Sequence, residues 1–89
     1  MSSIEDRLRD ILVEDLFVEL EKDRILPTAS LRQDLGIDSL GFVELKAQLE
    51  KRFSIVISED DFTPENFSTI SSLTSLINRH GGADRRAQH

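Results

Sequence analysis

One hydroxyl in this chain stands where chemistry could be done to it. Ser39 lies in the run DLGIDSLGFVELK (residues 34–46), between an acid and a leucine, at the start of an amphipathic stretch. Three roles suit a serine at such a place: helix cap, nucleophile, or point of covalent attachment. Serine is among the best N-caps because its oxygen accepts from a free backbone amide. A catalytic serine needs an adjacent base, and the histidines are His80, at the end of the last predicted helix, and His89, in the tail. GIDSLG matches neither G-x-S-x-G nor an unbroken Gly-Asp-Ser-Leu run, and 89 residues are too few for the folds that use them. No residue is therefore assigned a catalytic role. Covalent modification is favoured by the position itself. The free amides and dipole of a helix start stabilise a phosphoryl group, and the preceding loop lifts the hydroxyl away from the core.

The other reactive residue types offer little. The acid-rich run SEDDFTPE (residues 58–65) lacks the D-x-[DN]-x-[DN]-G spacing and central glycine of a calcium loop. Glu59, Asp60, Asp61 and Glu65 are expected to form a solvated face, and no metal site is expected. The absence of cysteine excludes disulfides, thiolate metal sites and a cysteine nucleophile. Charge narrows the partners further. The chain has 17 Asp and Glu against 11 Lys and Arg, and residues 1–78 alone hold 16 acids against 8 bases. Such a surface repels nucleic-acid phosphates and anionic lipid and steers basic proteins towards it. No apolar run approaches a membrane span, and the N-terminus lacks a basic-then-apolar leader. A cytoplasmic monomer that binds neither nucleic acid nor membrane is expected.

The elements that must position Ser39 follow from periodicity. Ser2 and Glu5 have capping-box spacing. Ile4, Leu8, Ile11, Leu12, Leu16 and Leu20 then recur at helical spacing, which predicts a first helix from Ile4 to Leu20, about 25 Å long. Between Glu21 and Asp38 the pattern breaks at Pro27, Thr28, Ser30 and Gly36, yet Ile25, Leu26, Leu31, Leu35 and Ile37 are too apolar for a solvated linker. A long ordered loop pinned to the core is expected, with one helical turn in SLRQDL (residues 30–35). A second helix is predicted from about Ser39 to Phe53, with Leu40, Val43 and Ala47 in one apolar row and Phe42, Leu45, Leu49 and Phe53 in another. IVI at residues 55–57 has strand composition but no partner strand, so it reads as an extended connection. At most a short helix fits residues 58–67, interrupted at Pro64. The last helix should begin near Ser68, turn Ile70, Leu73, Leu76 and Ile77 inward, and stop at Gly81-Gly82. The fold class is all-α: a small bundle of three main helices plus one short helix, with a long ordered loop between the first two. Residues 1–80 form the domain, and 81–89 read as a disordered tail.

DLGIDSL, followed by VEL and by the LEKRF that ends the second helix, resembles the attachment region of the acyl carrier protein family. The similarity covers roughly residues 3–79, with FSIVIS after the second helix and FSTISSLTSLI as the last. The resemblance implies that Ser39 receives 4′-phosphopantetheine from coenzyme A, added by a phosphopantetheinyl transferase. It implies that acyl groups ride as thioesters on the arm, and that the chain is a carrier and not an enzyme. The partners so implied are an acyltransferase or ligase, a ketosynthase and other pathway enzymes. Asp38 would be read by the basic face of the transferase, and Glu44 would meet partner arginines. Leu40 would offer an apolar contact to partners or, equally, pack in the core. Val43 and Ala47 would line a cleft for an acyl chain or be buried.

The chain departs from carriers of primary fatty-acid synthesis along the second helix. Their dense acidic outer face is here ELKAQLEKR, with Lys46, Lys51 and Arg52 interspersed, and LGF follows the serine. A discrete carrier of polyketide assembly or of an unusual starter or extender unit is expected. An aminoacyl, peptidyl or D-alanyl carrier is the nearest alternative, although GIDS favours the acyl class. An unmodified helical adaptor would keep the amphipathic pattern without needing an accessible serine.

Overall fold

In the computed structural model, which describes residues 3–81, helix α1 spans Ile4–Asp10 and is capped by Ser3, whose hydroxyl accepts from the amide of Asp6 at 3.1 Å. The cap thus sits at Ser3, while the expected Ser2 lies outside the described residues, as do residues 82–89 of the expected tail. Glu5 and Asp6 place negative charge on the positive end of the helix dipole. The helix does not run to Leu20 as its spacing predicts. It widens into a π-helical turn, Ile11–Asp15, in which the amides of Leu16 and Val18 donate to the carbonyls of Ile11 and Leu12. Phe17 then adopts φ +59°, the left-handed position one residue past a helix cap that glycine usually fills. That conformation turns the chain off the helical path.

The loop that follows is ordered, as its apolar content requires. A short 3-10 helix, Lys22–Arg24, supplies the fourth helical piece of the bundle. Ile25, Leu31 and Ile37 are buried and anchor the loop at three points. Leu26, in contrast, is exposed. The loop's polar groups are satisfied across the fold: the amide of Leu31 donates to the carbonyl of Ser68, that of Ser71 to Pro27, and the Arg9 guanidinium to the carbonyl of Ile25. The expected single turn forms at residues 31–34. Asp34 N–H donates to the Ser30 carbonyl, and the Ser30 hydroxyl and Asp34 carboxylate cap the turn reciprocally.

Helix α2 spans Ser39–Phe53 and helix α3 spans Ile70–Arg79. Leu45, Leu49 and Phe53 of α2 meet Ile70, Leu73, Leu76 and Ile77 of α3 and Leu8, Ile11 and Leu12 of the first helix in one apolar core, and no polar or charged residue among the described residues is buried there. Between α2 and α3 the chain is extended at residues 55–57, with Ile55 and Ile57 buried and Val56 exposed. The Glu50 carboxylate accepts from the amide of Ile57 at 2.8 Å, which gives the extended piece the partner that a second strand would otherwise provide. Residues 58–67 form turns rather than the short helix allowed for them. Phe62 and Phe67 pack edge to face there, with ring centroids 4.9 Å apart. Thr69 caps α3 by accepting from Ser72 N–H, and Gly81, at φ +66°, ends it. Both ends fall within two residues of expectation.

Candidate functional site

The site is built where the loop enters α2. Ile37 is buried and fixes the last loop residue but one. Asp38, in extended conformation, is the N-cap: its Oδ1 accepts from the amide of Gly41 at 2.8 Å, and its carbonyl accepts the first helical bond from Phe42. The cap is therefore Asp38 and not Ser39. Both residue types cap well, and the aspartate stands one position earlier. Ser39 becomes the first helical residue, exposed, with a hydroxyl that makes no hydrogen bond among the described residues. A free, solvent-facing hydroxyl beside the unpaired amides of a helix start can accept a group from outside.

Gly41 is a working part that the sequence reasoning left unassigned. A Cβ at this position would lie 2.8 Å from Ile37 Cγ2 and 3.3 Å from Asp38 Oδ1. Glycine lets the first turn of α2 sit against both the loop anchor and the cap. A glycine inside a helical pattern is the signal that points to it.

Around Ser39 the surface is acidic and apolar together. Leu40 is 80% exposed and Val43 56% exposed, and Ala47 is exposed as well. The row Leu40, Val43, Ala47 is thus an outer face, not core, and the buried residues of α2 are Leu45, Leu49 and Phe53. Glu44 is exposed one turn from Ser39 and accepts from Gln48 Nε2 at 2.9 Å. An open cleft of about 310 Å³ is lined by Ser39 together with Phe42, Val43, Phe62 and Phe67. Val43 lines this cleft, and Ala47 is not among its lining residues. The Arg32 guanidinium lies 5.9 Å from the Phe42 ring centroid at the same cleft, within cation–π range.

Among the described residues no general base is hydrogen-bonded to Ser39. His80 Nε2 is 3.1 Å from the Asp61 carboxylate at the far end of α3, and Asp38 is committed to the Gly41 amide. No group of three or more potential metal ligands converges among the described residues, and no described helix is long and apolar enough to cross a membrane. Of the basic residues expected to dilute the acidic face of α2, Lys46 pairs with Glu50 at 3.5 Å and Arg52 with Asp15 at 2.8 Å. Lys51 forms no ion pair among the described residues.

Comparison with known proteins gives a family and a fold. Residues 6–77 match the family described as phosphopantetheine attachment site. The fold matches the solution structure of a holo acyl carrier protein from Nitrosomonas europaea with a TM-score of 0.76 at 20% identity, covering 99% of this chain and 100% of that one.

Proposed function

The chain belongs to the family of phosphopantetheine attachment domains, whose cofactor is covalently held 4′-phosphopantetheine, and from that premise we propose that Ser39 is its attachment point. The observation that carries this is the state of Ser39: first residue of α2, exposed, and with a hydroxyl that makes no hydrogen bond among the described residues. Attachment forms one bond, from Ser39 Oγ to the phosphorus of the arm, and releases the nucleotide part of coenzyme A. The hydroxyl proton passes to a base of the transferase. When bound, the arm supplies a thiol that holds acyl groups as thioesters. The chain itself makes no other bond and acts as a carrier and not an enzyme.

Its residues position and present. Docking of the carrier turns a tethered cargo into an intramolecular reactant at the partner's active site. Asp38 and Glu44 supply charge for basic partner surfaces, and Leu40 and Val43 supply apolar contact at the rim. The aromatic cleft beside Ser39 offers shelter to an apolar acyl chain. The mixed charge of the outer face of α2 supports a discrete carrier of polyketide or related specialised assembly, working in the cytoplasm as a monomer. Its partners are a phosphopantetheinyl transferase, an acyltransferase or ligase, and a ketosynthase.

Incubation with coenzyme A and a phosphopantetheinyl transferase, followed by intact-mass measurement, tests the assignment. One arm per chain is expected, and none on Ser39→Ala. A gain that survives Ser39→Ala would move the site elsewhere.

A further inference from the structure

Phe17 is costly where it stands. It is 79% exposed and has φ +59°, a conformation disfavoured for every residue with a Cβ and most of all for bulky ones. An exposed ring recovers little of that cost by burial. Glycine or asparagine would close the first helix at this position with less strain. The ring stands at the edge of an open groove of about 400 Å³ that also contains Leu16, Glu19, Ile37, Asp38 and Gly41. Leu16 and Ile37 make it partly apolar, and its charged residues, Glu19 and Asp38, are both acidic. The groove reaches the start of α2 at Asp38, the residue before Ser39, while Ser39 itself lines the aromatic cleft. The groove lies away from the aromatic cleft, with only the start of α2 in common.

From this placement we infer that Phe17 is a docking anchor for the enzyme that modifies Ser39. That enzyme presents an apolar pocket to the ring and basic side chains to Glu19 and Asp38. The inference rests on Ser39 being the attachment point and extends it to a second segment, outside α2. Strain held at an exposed aromatic on a groove that reaches the cap of the helix carrying Ser39 is the pattern expected when stability is given up for recognition. An aromatic anchor flanked by complementary charge is how a small interface concentrates its affinity.

The test uses the full chain, coenzyme A and a purified phosphopantetheinyl transferase, with initial rates of arm addition to wild type, Phe17→Asn, Phe17→Gly and Phe17→Tyr. Asparagine and glycine keep the backbone conformation and remove the ring. Their KM for the carrier should rise at least tenfold with kcat within about twofold, and they should unfold at temperatures no lower than wild type. Phe17→Tyr, which keeps the ring, should stay within about threefold of wild type. An unchanged KM in both ring-less variants overturns the docking role while leaving Ser39 as the site, whereas a wild type that accepts no arm overturns both. A marked fall in melting temperature for the asparagine and glycine variants would make Phe17 structural and overturn the inference. So would sedimentation showing a wild-type dimer that Phe17→Asn dissociates, since the groove would then be occupied by a second copy.

Discussion

Asp38 caps α2 with a carboxylate that also stands next to the proposed attachment point. Its Oδ1 holds the Gly41 amide at 2.8 Å, and its charge lies beside Ser39. The two contributions separate by substitution. Asp38→Asn keeps a good cap and removes the charge, so stability should hold within a few tenths of a kcal/mol while arm addition slows. Asp38→Ala removes both and should cost about 1 kcal/mol in addition. Denaturant unfolding and loading rates on the same samples check the pair, and equal rates for Asp38→Asn and wild type would leave the aspartate a cap and nothing more. Ser39→Ala completes the comparison. Because the hydroxyl makes no hydrogen bond among the described residues, its loss should leave the melting temperature unchanged while abolishing loading.

How the helices meet decides the next two outcomes. Replacing a helical glycine by alanine ordinarily stabilises by about 1 kcal/mol. At Gly41 the added Cβ would fall 2.8 Å from Ile37 Cγ2, so Gly41→Ala should instead destabilise by about 1–3 kcal/mol, measured by denaturant unfolding. Glu50 ties α2 to the extended piece through the Ile57 amide, and that amide together with the Lys46 ammonium holds its carboxyl below the usual carboxylate range. A depressed folded pKa contributes stability above the unfolded value, and the contribution is lost as pH falls through the folded value. Glu50→Gln should therefore cost about 1 kcal/mol at neutral pH, and the gap to wild type should narrow below about pH 4.3. Melting temperatures across that range report it. These contacts also mark where periodicity stops being informative. It found the buried rows of α2 and α3 because each is a regular stripe facing a neighbour. It put Leu40, Val43 and Ala47 in one apolar row without deciding between core and contact surface, since spacing says which residues share a face and not which face is covered. The first helix was drawn too long because its left-handed stop is Phe17 and not glycine, and nothing local distinguishes that phenylalanine from a helical one. Ser39 was legible as an accessible hydroxyl at a helix start through its surroundings. Its neighbour Asp38 was missed as the cap because the two rank almost equally in that role.

The charge field of the folded chain is simpler than its list of residues suggests. With Lys46 and Arg52 tied to Glu50 and Asp15, the cation left unpaired on α2 is Lys51, two turns beyond the exposed Glu44. Complementary charge governs encounter rate and excludes wrong partners more than it adds affinity. Glu44→Lys should slow acyl loading by the cognate enzyme, with a smaller effect at high salt, where exposed charges are screened beyond about 10 Å at 0.1 M. Lys46→Gln should change loading little, because its charge is already neutralised by Glu50. Lys51→Glu should speed exchange with enzymes of primary fatty-acid synthesis and slow it with the cognate set, since it restores an acidic outer face. Loading rates for the three variants against both enzyme sets, at two ionic strengths, separate the contributions. Should Lys51→Glu leave every rate unchanged, the basic end of α2 is a solvated surface, and partner choice rests on Asp38, Glu44 and the apolar residues beside Ser39.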